Sequence, residues 1–363
     1  MSILHEILAE GVKAKAADVH IKENAPIRYR IAGDLIDCNF VPDKDFMTGV
    51  LNEMIPEAAK QATFEQDGDY DLSFVEPDVG RFRVNIHRER GGRCLTMRHI
   101  KSKIMNFEEL HLPPVMNSIA ESERGIIILS GTTGSGKSTT LAAMLQHINN
   151  TFMKHIITIE DPIEYEFFDS KSFFEQREVG IDVCTFRSAL KHALRQDPDV
   201  IMVGEMRDRE SFEAALQAAD TGHLVMSTLH ASNAPQTINR LLDFFEHSEQ
   251  DPIREALAIN LRAIIAQRLL PKAFGGGVVP TVEIMVNTPP IKKMMLENEL
   301  EKLTGAIEGG GNEGMQTFNQ SLFKLVNEGL VTEEDAMVAS NNPEQLRMNF
   351  KGIFLSTAGG ISG

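Results

Sequence analysis

The chain has 363 residues, 42% of them apolar and 24% charged, an ordinary globular composition that excludes wholesale disorder. Thirty-six Lys and Arg stand against 52 Asp and Glu, a formal net charge of −16 that argues against a nucleic-acid sleeve or an electrostatic membrane binder. Three scattered cysteines, Cys38, Cys94 and Cys184, exclude a disulfide framework and a four-cysteine zinc site, and they fit a reducing compartment.

At about 100–200 residues per domain, the length predicts two or three domains. Ile3, Leu4, Ile7, Leu8 and Val12 recur at helical spacing, broken by His5, Glu6 and Glu10. This reads as an amphipathic helix packed on its own domain, not a signal peptide. No apolar run approaches about 18 residues, so no membrane span is expected and a cytoplasmic location is. Short strands are expected at 20–21 and 27–31 with a turn at 33–34, and a helix over 46–62. Tyr70, Leu72 and Phe74 then alternate with Asp71 and Ser73. Phe82, Val84 and Ile86 alternate with Arg81, Arg83 and Asn85, and Leu95 and Met97 with Thr96 and Arg98. Period 2 predicts three antiparallel strands with one polar face. Residues 1–100 thus read as a small α+β domain, 101–115 as a linker and 116–363 as a second domain.

In the second domain the apolar strands lose their alternation, at 126–129, 156–159, 200–203 and 224–229. Helical stretches at 138–149, 185–195, 209–220, 235–246 and 252–269 separate or follow them. The pattern predicts an α/β fold whose mostly parallel sheet is covered on both faces. Beyond 288 the chain reads as helices with a glycine break at 309–311, and the tail from 355 as frayed.

Gly131-Thr132-Thr133-Gly134-Ser135-Gly136-Lys137-Ser138 matches G-x-x-x-x-G-K-[ST] between an apolar strand and a helix. Glycines let the backbone curl so that its N–H groups point at phosphate oxygens, and a helix N-terminus adds a positive dipole end. Lys137 neutralises the outer phosphates and Ser138 offers a hydroxyl to Mg²⁺. The binding residues expected are Thr133, Gly134, Ser135, Gly136, Lys137, Ser138 and Thr139.

Two carboxylates follow apolar strands: Glu160, with Asp161 and Pro162 behind it, and Glu205, with Gly204 where a metal-binding aspartate is commonly found. Glu205 is assigned as the water-activating base and Glu160 as its helper; a turn with a helix cap is the competing reading of 160–162. His223 and His230 flank an apolar strand, either as structural residues or as sensors of the outer phosphate. Arg81 and Arg83 share a strand face with Arg98 close by, either a solvated face or arginine fingers for a neighbouring subunit's nucleotide. Met294 and Met295 read as core filler.

Taken together, these motifs make the chain resemble the secretion and type IV pilus ATPase superfamily, in its pilus-retraction (twitching motility) branch. The resemblance runs from Ala17-Asp18-Val19-His20 through RFRVN at 81–85, GTTGSGKSTT at 131–140 and TIEDPIEY at 158–165. It continues through LRQDPDVIMVGEMRD at 194–208, TGHLVMSTLHAS at 221–232 and GMQTFNQSL at 314–322. It implies a RecA-like P-loop ATPase domain preceded by a PAS-like domain, a ring-shaped homo-hexamer, and ATP with Mg²⁺ bound between the two domains. It implies that Glu205 is the catalytic glutamate, that Glu160, His223 and His230 read or couple the γ-phosphate, and that Arg81, Arg83 and Arg98 act in trans. The partners it implies are an inner-membrane pilus platform protein and a paralogous pilus ATPase, with neither nucleic acid nor direct membrane insertion. Assembly ATPases of the superfamily are longer and carry four zinc-binding cysteines, which favours the retraction branch. Two departures stand out: Thr132 replaces a common proline, and Met294-Met295-Leu296-Glu297 lacks the arginine of the family's C-terminal retraction motif. The second keeps an alternative in play, an ATP-binding accessory ring subunit with weak hydrolysis. A nucleic-acid translocase is disfavoured by the net charge.

Overall fold

The structure, a computed structural model, describes residues 2–31 and 33–353; the tail expected to fray lies outside the described residues. The chain divides into two compact units. The first runs through Lys103 and adds Pro162–Glu166; the second comprises Ile104–Asp161 and the chain from Phe167 onward.

The first unit holds α1 (Ile3–Lys13), β1 (Asp18–Lys22), β2 (Arg28–Ile31), β3 (Asp34–Asp37), α2 (Lys44–Met54), α3 (Ala58–Asp67), β4 (Asp69–Glu76), β5 (Gly80–Glu89) and β6 (Gly92–His99). Its six strands form one antiparallel sheet in the order β3-β2-β1-β6-β5-β4. Period 2 does what the sequence asks of it. Val19, Ile21, Phe82, Val84, Ile86, Leu95 and Met97 bury against Leu4, Ile7 and Leu8 of α1, Met47 and Val50 of α2, and Phe64 of α3. The opposite face is polar, and the register sets Asp18 across from Arg98 and Arg98 across from Arg83. The helix expected over 46–62 is two helices. Ile55 precedes Pro56 and takes a non-helical ψ of 75°, because the proline ring disfavours the helical region for the residue before it, which ends α2. The turn at 33–34 leads into β3, a strand exposed along its whole length and therefore without an alternating signal.

The second unit holds α4 (Val115–Ala120), β7 (Gly125–Ser130), α5 (Lys137–Thr151), β8 (His155–Glu160), β9 (Phe173–Glu178), α6 (Phe186–Ala193), β10 (Val200–Val203), α7 (Arg209–Asp220), β11 (Leu224–Leu229), α8 (Ala234–Leu242), α9 (Gln250–Asn260), β12 (Leu261–Pro271) and β13 (Val278–Val286). Helices α10 (Pro289–Leu296), α11 (Leu303–Gly309), α12 (Phe318–Asn327), α13 (Glu333–Ala339) and α14 (Pro343–Phe350) follow. Seven strands run in the order β13-β12-β7-β11-β10-β8-β9, all parallel except the β12–β13 hairpin. Successive residues of one strand feed opposite layers. Ile126, Ile128, Ile157, Ile159, Ile201 and Val203 pack under α6–α10, whereas Ile127, Leu129, Ile156, Val200 and Met202 pack under α4 and α5. Each such side chain, fully buried, contributes about 1.5–3 kcal/mol of transfer free energy. Both faces being covered, the strands carry no alternation.

Two expectations are corrected here. The stretch 101–115 is not a free linker, because Phe107, Leu110 and Leu112 sit in the α4–α5 core layer. The helix expected over 252–269 ends at Asn260, and β12 begins at once. Ala263, Ile264, Ile265 and Ala266 are buried toward both layers beside β7, and an apolar run of that kind has no period to distinguish strand from helix.

Candidate active site

Strand β7 ends at Ser130 and the chain curls through a loop that only glycine can build. Gly131 has φ 153°, Gly134 φ 76° and Gly136 φ 85°. A Cβ on Gly131 would lie 2.5 Å from the Gln267 carbonyl oxygen and collide with Ser135 Oγ; one on Gly136 would lie 2.8 Å from Gln267 Nε2. Gly136 also starts α5 without a side-chain cap, the condition in which a helix's first turn, here Lys137, Ser138 and Thr139, accepts an anion. Lys137 is 9% exposed, and its Nζ donates to the carbonyl oxygens of Gly131 at 2.8 Å and Thr132 at 3.0 Å. These bonds tie the loop into a ring around the ammonium. Thr133 and Gly134 are exposed at its crest, Ser138 and Thr139 are half-buried, and the buried Ser135 Oγ has no hydrogen-bond partner. The cradle fits a phosphate chain.

Beneath the loop lies a residue the sequence reading misses. Gln267, 2% exposed on β12, donates from Nε2 to the Ser135 carbonyl at 2.8 Å and accepts from Thr140 Oγ1 at 2.8 Å. Its sequence signal is an amide that follows the apolar residues 263–266 and precedes Arg268.

The strand ends beside β7 carry the other candidates. Strands lie about 4.8 Å apart, so β11 is one spacing from the phosphate loop, β10 two and β8 three. Glu205 follows β10. Its Oε2 accepts from Arg207 Nε at 2.7 Å, and its Oε1 lies 3.2 Å from His230 Nε2 at the end of β11. Arg207 Nη1 also lies 3.7 Å from Asp161 Oδ2, and its bond to Glu205 holds the guanidinium the more firmly protonated. Gly204 is confined: a Cβ there would stand 3.4 Å from the Ile159 carbonyl and 3.5 Å from Glu160 Cα. Glu160 is buried at the end of β8, where Oε1 accepts from Thr158 Oγ1 at 2.6 Å and from Gln176 Nε2 at 3.1 Å.

His223 does not join this group. It precedes β11, whose six residues span about 20 Å at roughly 3.3 Å each, and its Nδ1 lies 2.9 Å from the Ala218 carbonyl. It stands at the opposite end of the sheet from the loop, which removes it from direct contact with a phosphate held in the same chain.

Two further residues fix the segment after His230. Glu283 of β13, 3% exposed, accepts from the Ala234 amide at 2.8 Å, at the start of α8. Burial pushes its carboxyl above the ordinary range, against the pull of that amide and of Arg268. Arg268 Nη2 lies 3.4 Å from the Ser232 carbonyl and 2.7 Å from Asn341 Oδ1.

The arginines lie on the polar face of the first unit. Arg83 is exposed, Arg81 Nε donates to Ser73 Oγ at 2.7 Å, and Arg98 Nε donates to Asp18 Oδ1 at 2.8 Å. Arg83 and Arg98 are cross-strand neighbours and Arg81 is two residues along the same face. Among the described residues no cluster of three metal-ligating side chains occurs, and no helix is long and apolar enough to cross a membrane.

The sequence profile of the type II/IV secretion system protein family matches residues 1–322. The chain is 42% identical over 339 residues to the type IV pilus retraction ATPase PilT of Pseudomonas aeruginosa, covering 93% of this chain and 98% of that one. It is 36% identical over 351 residues to the type IV pilus ATPase PilU of the same organism, covering 95% and 91%. A crystal structure of the pilus retraction motor PilT with bound ADP superposes with a TM-score of 0.88 at 41% identity, covering 96% of this chain and 99% of that one.

Proposed function

We propose, from the premise that this chain belongs to the family of type II/IV secretion system proteins, that it hydrolyses ATP to power retraction of a type IV pilus. The observation that carries the reading is the end-to-end likeness to PilT in sequence and in structure, with the phosphate-binding loop built and Glu205 following β10, two strand spacings along the sheet. The loop and the start of α5 grip the phosphates, and Lys137 exchanges its carbonyl contacts for phosphate oxygens; Ser138 would hold a Mg²⁺, which would supply charge neutralisation at the outer phosphates. Glu205 takes the proton of the attacking water, and His230 keeps its carboxylate oriented. Glu160 helps at one remove by stiffening the end of β8. A ring homo-hexamer sets Arg81, Arg83 and Arg98 against the next subunit's nucleotide. The first unit is the PAS-like domain. The motor works at the cytoplasmic face of the inner membrane on a platform protein, with a PilU-like ATPase as a further partner.

Deleting the gene in its host and counting surface pili tests this. Accumulated pili with lost twitching are expected; loss of pili would mean assembly instead. One observation favours a second reading, an accessory ring subunit with weak hydrolysis: α10 ends in Met294-Met295-Leu296, with no arginine. Vigorous ATP hydrolysis by the purified protein rules that out.

A further inference from the structure

The loop from Glu205 to Arg207 contains more than a base. Glu205 leaves β10 at the open end of the sheet, and two residues later Arg207 turns back to donate from Nε to Glu205 Oε2 at 2.7 Å. The same guanidinium reaches across the end of the sheet: Nη1 stands 3.7 Å from Oδ2 of Asp161, the residue that follows β8. Asp161 occupies a particular place in the chain. It is the last residue of the second unit before Pro162–Glu166, which belong to the first unit, and the chain re-enters the second unit at Phe167. A planar fork with donors on several sides can hold two carboxylates at once, which an ammonium cannot do with fixed geometry.

We propose that Arg207 is a positioning residue that ties the carboxylate of Glu205 to Asp161, so that the aim of the base depends on where the crossing strand of chain at 161–162 sits. The inference rests on Glu205 being the base. Three contacts then have distinct tasks. His230, near Oε1, fixes one oxygen from the β11 side. Arg207 fixes the other from the β8 side. Asp161 holds Arg207 and responds to any displacement of the segment behind it. The Arg207 side chain is 58% exposed, so its contribution to the fold is small and its removal is read in turnover rather than in unfolding.

The test is a kinetic cycle on the full-length purified protein. Arg207→Gln is expected to lower kcat for ATP roughly ten- to a hundredfold, the range produced by misaiming a reacting group by about an ångström, with KM for ATP and the thermal unfolding midpoint unchanged. Asp161→Asn is expected to lower kcat in the same way but less, because it removes only the outer anchor. The double variant should be no slower than Arg207→Gln alone, since both changes cut one connection. Arg207→Lys should recover part of kcat by restoring a charge without the fork. Additive losses in the double variant, or wild-type kcat in Arg207→Gln, overturn the proposal. Glu205→Gln separates the two layers of the argument. If it keeps full turnover, the base assignment falls and this inference with it. If it is inactive while Arg207→Gln turns over normally, only the role of Arg207 falls.

Discussion

Gly131 is where residue identity has the least latitude. Any β-carbon would enter the space of the Gln267 carbonyl and Ser135 Oγ, both packed from below, so relief must come from moving the loop. Gly131→Ala is therefore expected to abolish binding of a fluorescent ADP analogue, and saturable binding at wild-type affinity would contradict the geometry. Glu205→Gln is expected to do the reverse: it keeps nucleotide binding and loses roughly 10²–10⁴-fold in turnover, the usual worth of a positioned base. Unchanged steady-state hydrolysis sinks that assignment. At this scale the sequence is legible where the chemistry is contiguous. The loop is eight consecutive residues, and its glycines, lysine and serine declare themselves. Gln267 does not, because its meaning depends on Ser135 and Thr140, more than a hundred residues away. The displacement of His223 is illegible for a related reason. Strand length separates it from His230, and direction along the sheet decides which of the two sees the loop.

Among the elements, the strand–helix joints at the end of the sheet do most to position the site. The start of α8 sits on Glu283, whose burial outweighs the help of Arg268 and the Ala234 amide and raises its carboxyl pKa. A carboxyl raised in the folded state stabilises the fold most below its ordinary value of 4.5, and that contribution is lost as pH climbs through the raised value. Glu283→Gln keeps an oxygen for the Ala234 amide and removes the ionisation. The variant is expected to melt higher than the wild type at neutral pH, with the difference shrinking as pH falls toward 4.5; calorimetric scans across that range check the sign. Elements were read well from the sequence where one face meets solvent, as in β4, β5 and β6. Short apolar runs buried on both faces, β7, β8, β10 and β11, were also read as strands, whereas the longer β12 was read as helix and the wholly exposed β3 was missed. A short run is fixed by its length; a long one needs contrast between faces, and β12 has none.

For the whole molecule, the arginines and the base lie in different units, which makes cooperation between subunits testable. If Arg83 serves a neighbour's nucleotide, Arg83→Ala lowers turnover by about 10³-fold, the low end for arginine fingers. A mixture of Arg83→Ala and Glu205→Gln proteins then regains activity, because some interfaces pair an intact base with an intact finger. A mixture no more active than its two inactive components rules out action in trans. The strand pattern changes from alternating to continuous apolar near residue 116, while the compact units divide at Lys103 and Ile104. The return of 162–166 to the first unit was not legible in the sequence, since five residues carry no composition of their own.

That short loan between the units has a practical consequence. Ile163 and Tyr165, both buried, belong to the first unit although the second supplies the chain on either side of them. Tyr165 bridges to Lys101, and the Glu166 amide donates to the Lys101 carbonyl at 3.2 Å. No single cut yields either unit whole. A fragment starting at 104 would carry two orphaned apolar side chains into solvent, and a fragment ending at 103 would lack them. Truncations, fusions and domain-swapped chimeras of this protein must therefore be designed with two junctions around residues 162–166 in addition to the one near 103.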